Sequence, residues 1–260
     1  MKKKRPFALW ESDKYYKIAH LGSLDMNHPG MVVLKGLARR ANRILDLGCG
    51  EGTRLSFLAK DKYAVGIDAS KKAISLAKKR YKDFEFIKAD VESLPFSDGW
   101  FDLIYSAYVL EHLENPDRVI NEAIRVLKAG GRLFFVAPNF GAPNRASPPS
   151  RGSRIGKLLK DFVLDFRPAS ANRLDWQKIS SLDDEGNYIP DSDTKVEPYL
   201  GSLLRYLKSK GLKVEYFSSC WSEELPEAKM LQRVIRVPGE VGIYPFNLWG
   251  PHLLAVFRKI

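Results

Sequence analysis

Cysteine is scarce in this chain of 260 residues, which contains only two, and histidine occurs four times. Cys49 and Cys220 lie far apart in the sequence, so they do not form the disulfide framework of a small secreted domain. Continuous apolar runs are also short, and none approaches the ~18 residues that a membrane-spanning helix requires. These shortages exclude a disulfide-stapled scaffold and predict no transmembrane segment.

Negative charge is in short supply too, because 42 Lys and Arg face 31 Asp and Glu and leave a formal net charge of +11. Met1–Arg5 looks like the start of a secretory signal, but only Phe7–Trp10 is apolar before Glu11, so no apolar core of a signal follows. We therefore expect a cytoplasmic protein. We interpret the basic surplus as solvated surface; attraction to an anionic small molecule, a membrane surface or nucleic acid is the alternative.

Glycine is concentrated where the chain passes from a predicted strand into a predicted helix. Ile44–Leu47 is apolar enough for a strand covered on both faces, and Gly48, Gly50 and Gly52 follow at every second position. Glycines let backbone N–H groups approach a ligand where a side chain would block it. The pattern is typical of a nucleotide site at the carboxyl end of a strand.

The spacing and charge of this turn narrow the choice of nucleotide. A dinucleotide fingerprint requires a third glycine where this chain has Thr53, and no Gly-Lys-Ser/Thr ending of a phosphate-binding loop is present. Asp46 and Glu51 flank the turn and would repel a pyrophosphate. Both would attract a cationic ligand without phosphates, and S-adenosylmethionine, which carries an ammonium and a sulfonium, fits that description.

Two further acids end predicted strands in the order that this cofactor needs. Asp68 ends the strand Tyr63–Asp68, twenty residues after Gly48, close to the ~20-residue offset at which an acid reaches a ribose diol. Asp90 ends the third strand and could accept a hydrogen bond from the adenine amine. The fourth strand, Phe101–Ser106, leads into the segment where the reactive methyl group would sit.

Taken together, these segments resemble the class I S-adenosylmethionine-dependent methyltransferases, in particular the small-molecule branch called type 11. The resemblance rests on Leu45–Gly52, Gly66–Ser70, Ala89–Phe96 and Phe101–Ser106, and continues through Glu111–Leu113 and Glu122–Pro138. It implies S-adenosylmethionine as the cofactor and S-adenosylhomocysteine as its product. The cofactor-binding residues it implies are Asp46, Gly48, Cys49, Gly50, Gly52, Asp68, Ala69, Ala89, Asp90, Val91, Ser106 and Ala107.

The resemblance and the alternation of segments predict an α/β fold: a Rossmann-like, doubly wound, seven-stranded sheet, mostly parallel with an antiparallel last strand. We expect residues 1–260 to form a single methyltransferase domain with its core at about 30–138 and 197–260. Residues 139–196 are predicted to be a substrate cap, because this stretch follows strand five above the carboxyl ends of the strands. A second insertion covers 220–250, and either packs against the cap or extends a hairpin over the core.

Catalysis of methyl transfer requires a base only when the acceptor is a protonated hydroxyl. His112 is the first candidate base and its neighbour Glu111 the second, since both follow strand four; a capping or packing role for His112 is the alternative. Tyr15, Tyr16, His20 and His28 could close over the cofactor, although packing roles are favoured for all four. Asp191-Ser192-Asp193 is interpreted as a polar loop, and no metal is expected.

The sequence thus predicts methyl transfer to a small-molecule acceptor, by O-methylation of a sugar-, glycan- or quinone/lipid-like compound, with an anionic acceptor as one option. One alternative is an RNA or protein methyltransferase, but no basic groove interleaved with aromatic residues is evident, so nucleic acid is disfavoured as a partner. The other alternative is a scaffold that binds the cofactor without catalysis. The oligomeric state is not predicted.

Overall fold

Strands and helices alternate along most of the chain in the computed structural model, which describes residues 10, 12–151, 153–166, 174–180, 191–224 and 230–260. The helices are α1 (Asp13–Ser23), α2 (Pro29–Arg39), α3 (Thr53–Leu58), α4 (Lys71–Arg80), α5 (Pro116–Val126), α6 (Arg154–Asp165), α7 (Leu200–Ser209) and α8 (Met230–Glu240). The strands are β1 (Arg43–Leu47), β2 (Tyr63–Asp68), β3 (Glu85–Lys88), β4 (Phe101–Ala107), β5 (Leu127–Pro138), β6 (Gln177–Lys178), β7 (Val196–Glu197), β8 (Leu212–Ser218) and β9 (His252–Lys259).

Seven strands form one sheet in the order β3-β2-β1-β4-β5-β9-β8, and β6 pairs with β7 in a separate two-stranded sheet. β1 pairs in parallel with β2 and β4, and β2 pairs in parallel with β3. β8 and β9 are antiparallel. The prediction of a Rossmann-like, mostly parallel sheet is confirmed. The strand order reverses between β1 and β4, and ligands bind open sheets of this kind at the carboxyl ends of the strands beside such a reversal.

The chain divides into two compact units, one made of Met1–Ser106 with Arg118–Leu133 and the other of Ala107–Asp117 with Phe134–Ile260. In the first unit the strands β1, β2 and β4 are buried along almost their whole length, as expected for parallel strands covered on both faces. The second unit has its own core around β9, α7 and Trp249. Both predicted insertions belong to this second unit.

Sequence patterns predict a strand over Tyr63–Asp68, a helix over Lys71–Arg80 and a strand over Leu212–Ser218, and β2, α4 and β8 have these bounds. The patterns also predict a helix over Asp117–Leu127, closed by Gly130-Gly131, and a fifth strand from Arg132. The observed helix ends at Val126, one residue from its predicted end, but the strand already begins at Leu127, so the predicted start of β5 is wrong. Gly130 has a φ of +76°, and a Cβ at Gly131 would lie 2.8 Å from the Leu127 side chain. The glycines therefore allow an irregular start of the strand and do not end the helix. The sequence did not predict α1 or α8.

Gly52 is the residue that joins β1's turn to α3, and it has little room for a side chain. Its φ is +85°, and an added Cβ would lie 2.6 Å from the ring of Phe86.

We expect Gly52→Ala to lower the free energy of unfolding by about 2–4 kcal/mol, from the strained φ and the overpacking together. Gly36→Ala is the matched control, because Gly36 lies inside α2 with open space around its Cα; it should raise stability by about 0.5–1 kcal/mol. Urea denaturation of both variants measures the difference, and equal stabilities would contradict the packing account.

Candidate functional site

The glycine turn after β1 is built by backbone hydrogen bonds that leave its amides close to the sheet edge. Gly48, Gly50 and Gly52 all have positive φ angles, between +54° and +85°. The amides of Gly48 and Cys49 both donate to the carbonyl of Ile67, at 2.8 and 2.9 Å. The turn therefore lies against the end of β2, as the prediction requires.

Asp68, at the end of β2, organises this turn through both of its carboxylate oxygens. Oδ2 accepts from the Gly50 amide at 2.9 Å, and Oδ1 accepts from the Ser70 amide at 2.8 Å. Ser70 in turn caps α4 by accepting from the Ala73 amide at 3.1 Å. Since a carboxylate has about four acceptor sites, these bonds leave Asp68 able to accept hydroxyl groups as well. Its position is consistent with the predicted contact to a ribose diol.

Open space lies beside Gly50, in contrast to the packed surroundings of its neighbours. A Cβ built on Gly50 meets no atom within 4 Å. A Cβ on Gly66, in β2, would lie 2.8 Å from both Cys49 and Phe86. Gly66 is thus required for packing beneath the turn, whereas Gly50 borders a space that a ligand can enter.

Asp46 lies buried on β1 beneath the turn and accepts a hydrogen bond of 2.7 Å from the hydroxyl of Tyr105 on β4. The two residues are register partners in the parallel pair β1–β4. Burial raises the pKa of Asp46 to about 7, although the Tyr105 bond and the charge of Arg54 lower it, and Asp68 adds to the rise. A cation bound nearby would favour the ionised form of Asp46.

The other predicted cofactor residues end the neighbouring strands β3 and β4. The Ala89 amide donates to the Asp68 carbonyl at 3.2 Å, and Asp90 accepts from the Glu92 amide at 2.9 Å through Oδ1. Val91 is buried and Ala69 is exposed. Because the carboxyl ends of neighbouring parallel strands meet at one sheet edge, β1 to β4 of the first unit bring these residues together.

Ser106, at the end of β4, has a polar side chain in an unusual environment. Its side chain is buried, and its hydroxyl has no hydrogen-bond partner within the described part of the chain. A buried polar atom without a partner is costly and is a mark of a ligand or water site. Ala107, which follows it, is buried as well.

Glu51 does not act as the sequence predicts. Its buried carboxylate accepts from the Arg80 guanidinium at 2.7 Å and from the Thr53 hydroxyl at 2.7 Å, and His20 Nδ1 lies 3.4 Å away. Tyr81 completes the group through a 2.9 Å contact with the Thr53 hydroxyl. An internal cation already neutralises Glu51, so attraction of the cationic ligand rests on Asp46. The sequence contained no signal for these pairs, which join α1, α3 and α4.

The four residues that could close over the cofactor make different contacts in the structure. His20, on α1, reaches the glycine turn through the Thr53 hydroxyl, at 3.1 Å. His28 caps α2 by accepting from the Gly30 amide at 3.0 Å. Tyr16 is buried and packs edge to face against Tyr15, with ring centroids 5.1 Å apart. Of the four, the structure brings His20 to the turn and gives His28 and Tyr16 packing or capping contacts.

In the second unit, His112 lies between two carboxylates. Its Nδ1 is 3.3 Å from Asp193 Oδ2, and its Nε2 is 3.7 Å from Glu111 Oε1. The Asp193 contact is within ion-pair distance but lacks hydrogen-bond geometry, so it favours a positive charge on the imidazole without fixing the tautomer. The amide of Lys195 donates to the Glu111 carbonyl at 2.8 Å, which anchors the segment that carries Asp193.

Glu111 is buried, and its Oε2 atom has no hydrogen-bond partner among the described residues. Burial raises the pKa of Glu111 to about 7; the adjacent His112 lowers it, and Asp191 and Asp193 add to the rise. Perturbed acids of this kind cluster at functional sites.

Asp191-Ser192-Asp193 lies in a turn, as the interpretation of a polar loop expects, but its surroundings are not those of an exposed loop. Ser192 and Asp193 are buried, the Ser192 hydroxyl has no hydrogen-bond partner within the described ranges, and Asp193 faces His112. The sequence does not indicate that His112 and Asp193 lie close together, because about eighty residues separate them. Within the described ranges, no three His, Cys, Asp or Glu side chains are grouped so as to hold a metal ion.

The predicted cap and the second insertion pack against each other within the second unit. The Asn139 side chain donates to the carbonyls of Leu248 and Gly250, at 2.8 and 2.9 Å. Asp165, at the end of α6, accepts from Tyr199 at 2.5 Å and from Trp249 at 2.9 Å. The two insertions therefore form one covering layer. Residues 152, 167–173 and 181–190 of the predicted cap lie outside the described residues.

Both cysteines are free and buried. Burial raises the pKa of the Cys49 thiol well above its usual value, and nearby Asp46 and Asp68 add to the rise. A thiol held protonated under the turn is a poor nucleophile. Cys49 thus contributes its backbone to the turn.

The fourth histidine, His252 on β9, packs edge to face against Tyr108, with ring centroids 5.9 Å apart.

Comparison with known proteins agrees with this geometry. The family described as "Methyltransferase domain" matches residues 45–135. A demethylmenaquinone methyltransferase of Thermotoga maritima is 40% identical over 129 residues, covering 48% of this chain and 53% of that protein. A demethylmenaquinone methyltransferase of Chlorobaculum tepidum is 26% identical over 212 residues, covering 78% and 81%. The chain spans about half the length of most curated relatives that it matches.

The fold has a solved counterpart in an S-adenosylmethionine-dependent methyltransferase from Mesorhizobium loti, with a TM-score of 0.54 and 19% identity over 88% of this chain and 97% of that one. Fold and site thus define a Rossmann-like domain for a nucleoside cofactor. More specifically, residues 45–135 match the methyltransferase-domain family, and the structure shares the fold of a solved S-adenosylmethionine-dependent methyltransferase.

The residues present fit S-adenosylmethionine. The space beside Gly50 accepts a ligand, the Ser106 hydroxyl lacks a partner, and the buried Asp46 has a carboxylate that a cation would keep ionised. Asp68 would hold the ribose and Asp90 the adenine amine, as the family resemblance implies.

Asp68→Ala tests the ribose assignment. The loss of a charged hydrogen-bond acceptor should weaken S-adenosylhomocysteine binding by about 1.5–3 kcal/mol, or roughly 10- to 150-fold. Calorimetric titration measures this loss, with Asp83→Ala as the control because Asp83 is an exposed acid before β3. Unchanged affinity in Asp68→Ala would remove Asp68 from the site.

The raised pKa of Asp46 predicts a pH dependence of cofactor binding. A bound ammonium stabilises the carboxylate, so binding below pH ~7 requires Asp46 to lose a proton, and affinity should fall as the pH falls. We expect S-adenosylhomocysteine to bind roughly five- to tenfold more weakly at pH 6 than at pH 7.5. Asp46→Asn should bind weakly and without this pH dependence. A wild-type affinity that stays flat across this range contradicts the role of Asp46.

Proposed function

We propose that this protein transfers the methyl group of S-adenosylmethionine to a small-molecule acceptor. The observation that carries the proposal is the Asp68 carboxylate, which holds the Gly50 amide at 2.9 Å beside an open space at the turn. The matched methyltransferase domain covers the same turn and the ends of β2 to β4.

The proposed reaction is O-methylation, with His112 as the base. When bound, S-adenosylmethionine supplies a methyl group on a sulfonium that leaves as a neutral thioether. The chain's own task is to remove the proton from the acceptor hydroxyl and to keep water out. Asp193, 3.3 Å from Nδ1, would stabilise the positive charge that forms on the imidazole, and Nε2 is the atom proposed to take the proton. Glu111, 3.7 Å from Nε2, would stabilise the imidazolium that forms, or serve as the base itself.

For the acceptor we propose a quinone- or lipid-like compound ahead of a sugar or glycan. The relatives from Thermotoga and Chlorobaculum are demethylmenaquinone methyltransferases by name. The covering layer of the second unit contains aromatic side chains such as Trp249 and Phe246, whose rings pack edge to face at 5.2 Å, and aromatic side chains suit an apolar ring or chain.

A labelled-methyl assay tests the function directly. The protein is incubated with methyl-labelled S-adenosylmethionine and, separately, a demethylated naphthoquinol, a phenolic lipid, a sugar, an RNA and a protein substrate. We expect label in the organic extract of the first two reactions. Label in RNA or protein would replace the small-molecule proposal by the alternative acceptor class. Tight S-adenosylhomocysteine binding with no transfer to any acceptor would indicate a cofactor-binding scaffold.

His112→Ala separates catalysis from cofactor binding. Loss of the base should lower the turnover of the accepted substrate roughly 10²- to 10⁴-fold, with S-adenosylhomocysteine affinity unchanged. Asp193→Asn should cause a smaller loss, since it removes only the stabilising charge, and should shift the pH profile of the rate. His252→Ala is the matched control, a histidine that packs against Tyr108. If His112→Ala keeps full activity, His112 is not the base. Glu111 is then the proposed base, and Glu111→Gln tests that assignment.

A further inference from the structure

The helix α6 exposes its apolar side. The described residues Ile155, Leu159, Phe162, Val163 and Phe166 recur at helical spacing, and their exposed fractions run from 40% for Phe162 to 72% for Ile155. Positions four, seven, eight and eleven residues after Ile155 lie on one side of a helix. This row of residues, the α6 stripe, is a largely exposed apolar face, of which the Phe162 ring also packs against the buried Trp249.

Polar contacts from other positions of α6 attach it to the rest of the second unit. Lys157 Nζ donates to the buried Glu197 at 2.6 Å and to the Phe140 carbonyl at 2.7 Å. Asp165 accepts from Tyr199 and Trp249. A surface helix of a globular domain normally buries its apolar stripe and exposes its charges. Among the described side chains of α6, by contrast, the stripe is exposed while Lys157 and Asp165 make buried polar contacts.

Helix α8 repeats the pattern. Met230, Val234, Val237 and Val241 lie on one side of the helix or its immediate end, with exposed fractions between 63% and 82%. On the other side Ile235 is buried, and Gly239 packs so closely that a Cβ would lie 2.1 Å from the Trp221 indole. The exposed row is the α8 stripe.

The α6 stripe contacts the segment that follows α8. The ring of Phe166, at the end of α6, packs edge to face against Tyr244, with centroids 5.4 Å apart. Ile243 and Tyr244 follow α8 after Val241 and Gly242, and both are about half exposed. We call the two stripes together with Ile243 and Tyr244 the apolar surface of the second unit. Large exposed apolar surfaces mark docking sites.

We propose that this apolar surface docks on an anionic lipid bilayer. The formal net charge of the chain is +11, although Lys157 and Arg236 on the two helices are already paired with Glu197 and Glu240. Arg151 is exposed just before α6, and Arg233 is exposed one turn from both Met230 and Val237. Apolar faces flanked by Lys and Arg are the signature of helices that lie in a membrane interface, and anionic headgroups attract each cation by ~1 kcal/mol.

Charge also decides against a second copy of the chain as the occupant. The formal net charge is +11, so two copies face to face would bring like charges together around the apolar surface. Every described helix is too short or too polar to traverse a bilayer, so the contact proposed is a surface contact. If the proposed function holds, docking would bring the enzyme to an acceptor dissolved in the membrane.

Site-specific fluorescence tests the docking surface without cofactor or acceptor, so its result is independent of the proposed function. Because Cys49 and Cys220 are buried, a single introduced surface cysteine can be labelled selectively with an environment-sensitive dye. The test positions are Leu159→Cys and Val237→Cys, and the matched control is Val32→Cys, which replaces an exposed apolar residue on α2. The probes are vesicles of phosphatidylcholine, with and without phosphatidylglycerol.

We expect binding to the phosphatidylglycerol vesicles that weakens with salt, with a blue shift of the dye at positions 159 and 237 and none at 32. The double variant Leu159→Glu/Val237→Glu should bind these vesicles at least about tenfold more weakly, while S-adenosylhomocysteine affinity stays unchanged and reports correct folding. Absence of vesicle binding would overturn the proposal. So would binding without a blue shift at 159 and 237, which indicates docking through another basic segment. A blue shift that depends on protein concentration and not on vesicles would identify a second copy as the occupant.

Discussion

The carboxylate of Asp68 is the interaction on which the cofactor site depends. One oxygen fixes the Gly50 amide and the other fixes the Ser70 amide, so a single side chain joins the turn after β1 to the start of α4. Charged acceptors make the stronger hydrogen bonds of proteins. The turn can therefore adopt its positive φ angles and still present an open side to a ligand. Gly52 and Gly66 support it from below, where their missing side chains admit Phe86 and Cys49.

Each unit of the chain contains a buried acid whose pKa is raised by burial. Asp46 in the first unit and Glu111 in the second have pKa values raised to about 7 by burial, and each has a different partner, Tyr105 and His112 respectively. A buried carboxylate is costly to ionise and gains most from a nearby cation. Asp46 is thereby suited to bind a cationic ligand. Glu111 is suited to stabilise an imidazolium, which is the charge change that the base role proposed for His112 would create.

The covering layer of the second unit shows how polar contacts can decide where an apolar face points. Lys157 and Asp165 are held inward by Glu197, Tyr199 and Trp249, and this attachment leaves the apolar stripe of α6 in contact with solvent. Burying that stripe would expose or break ion pairs that are already desolvated, and breaking such pairs is strongly destabilising. The exposed stripe is thus a consequence of the buried network.

The amino-acid sequence alone determined the local elements and the cofactor class. Apolar periodicity and the glycine turn located β2, α4 and β8 to the residue, because these signals act between neighbours in the chain. The same holds for Asp68, whose distance from the turn is set by one strand and one helix.

Long-range contacts were decided only by the tertiary structure. The pairing of His112 with Asp193 and of Glu51 with Arg80 joins segments that no local pattern relates. The start of β5 was predicted wrongly because glycines permit both the end of a helix and an irregular strand. The orientation of α6 has the same physical reason: periodicity shows that a helix has an apolar side, but only the partners packed around it determine whether that side faces the core or the solvent.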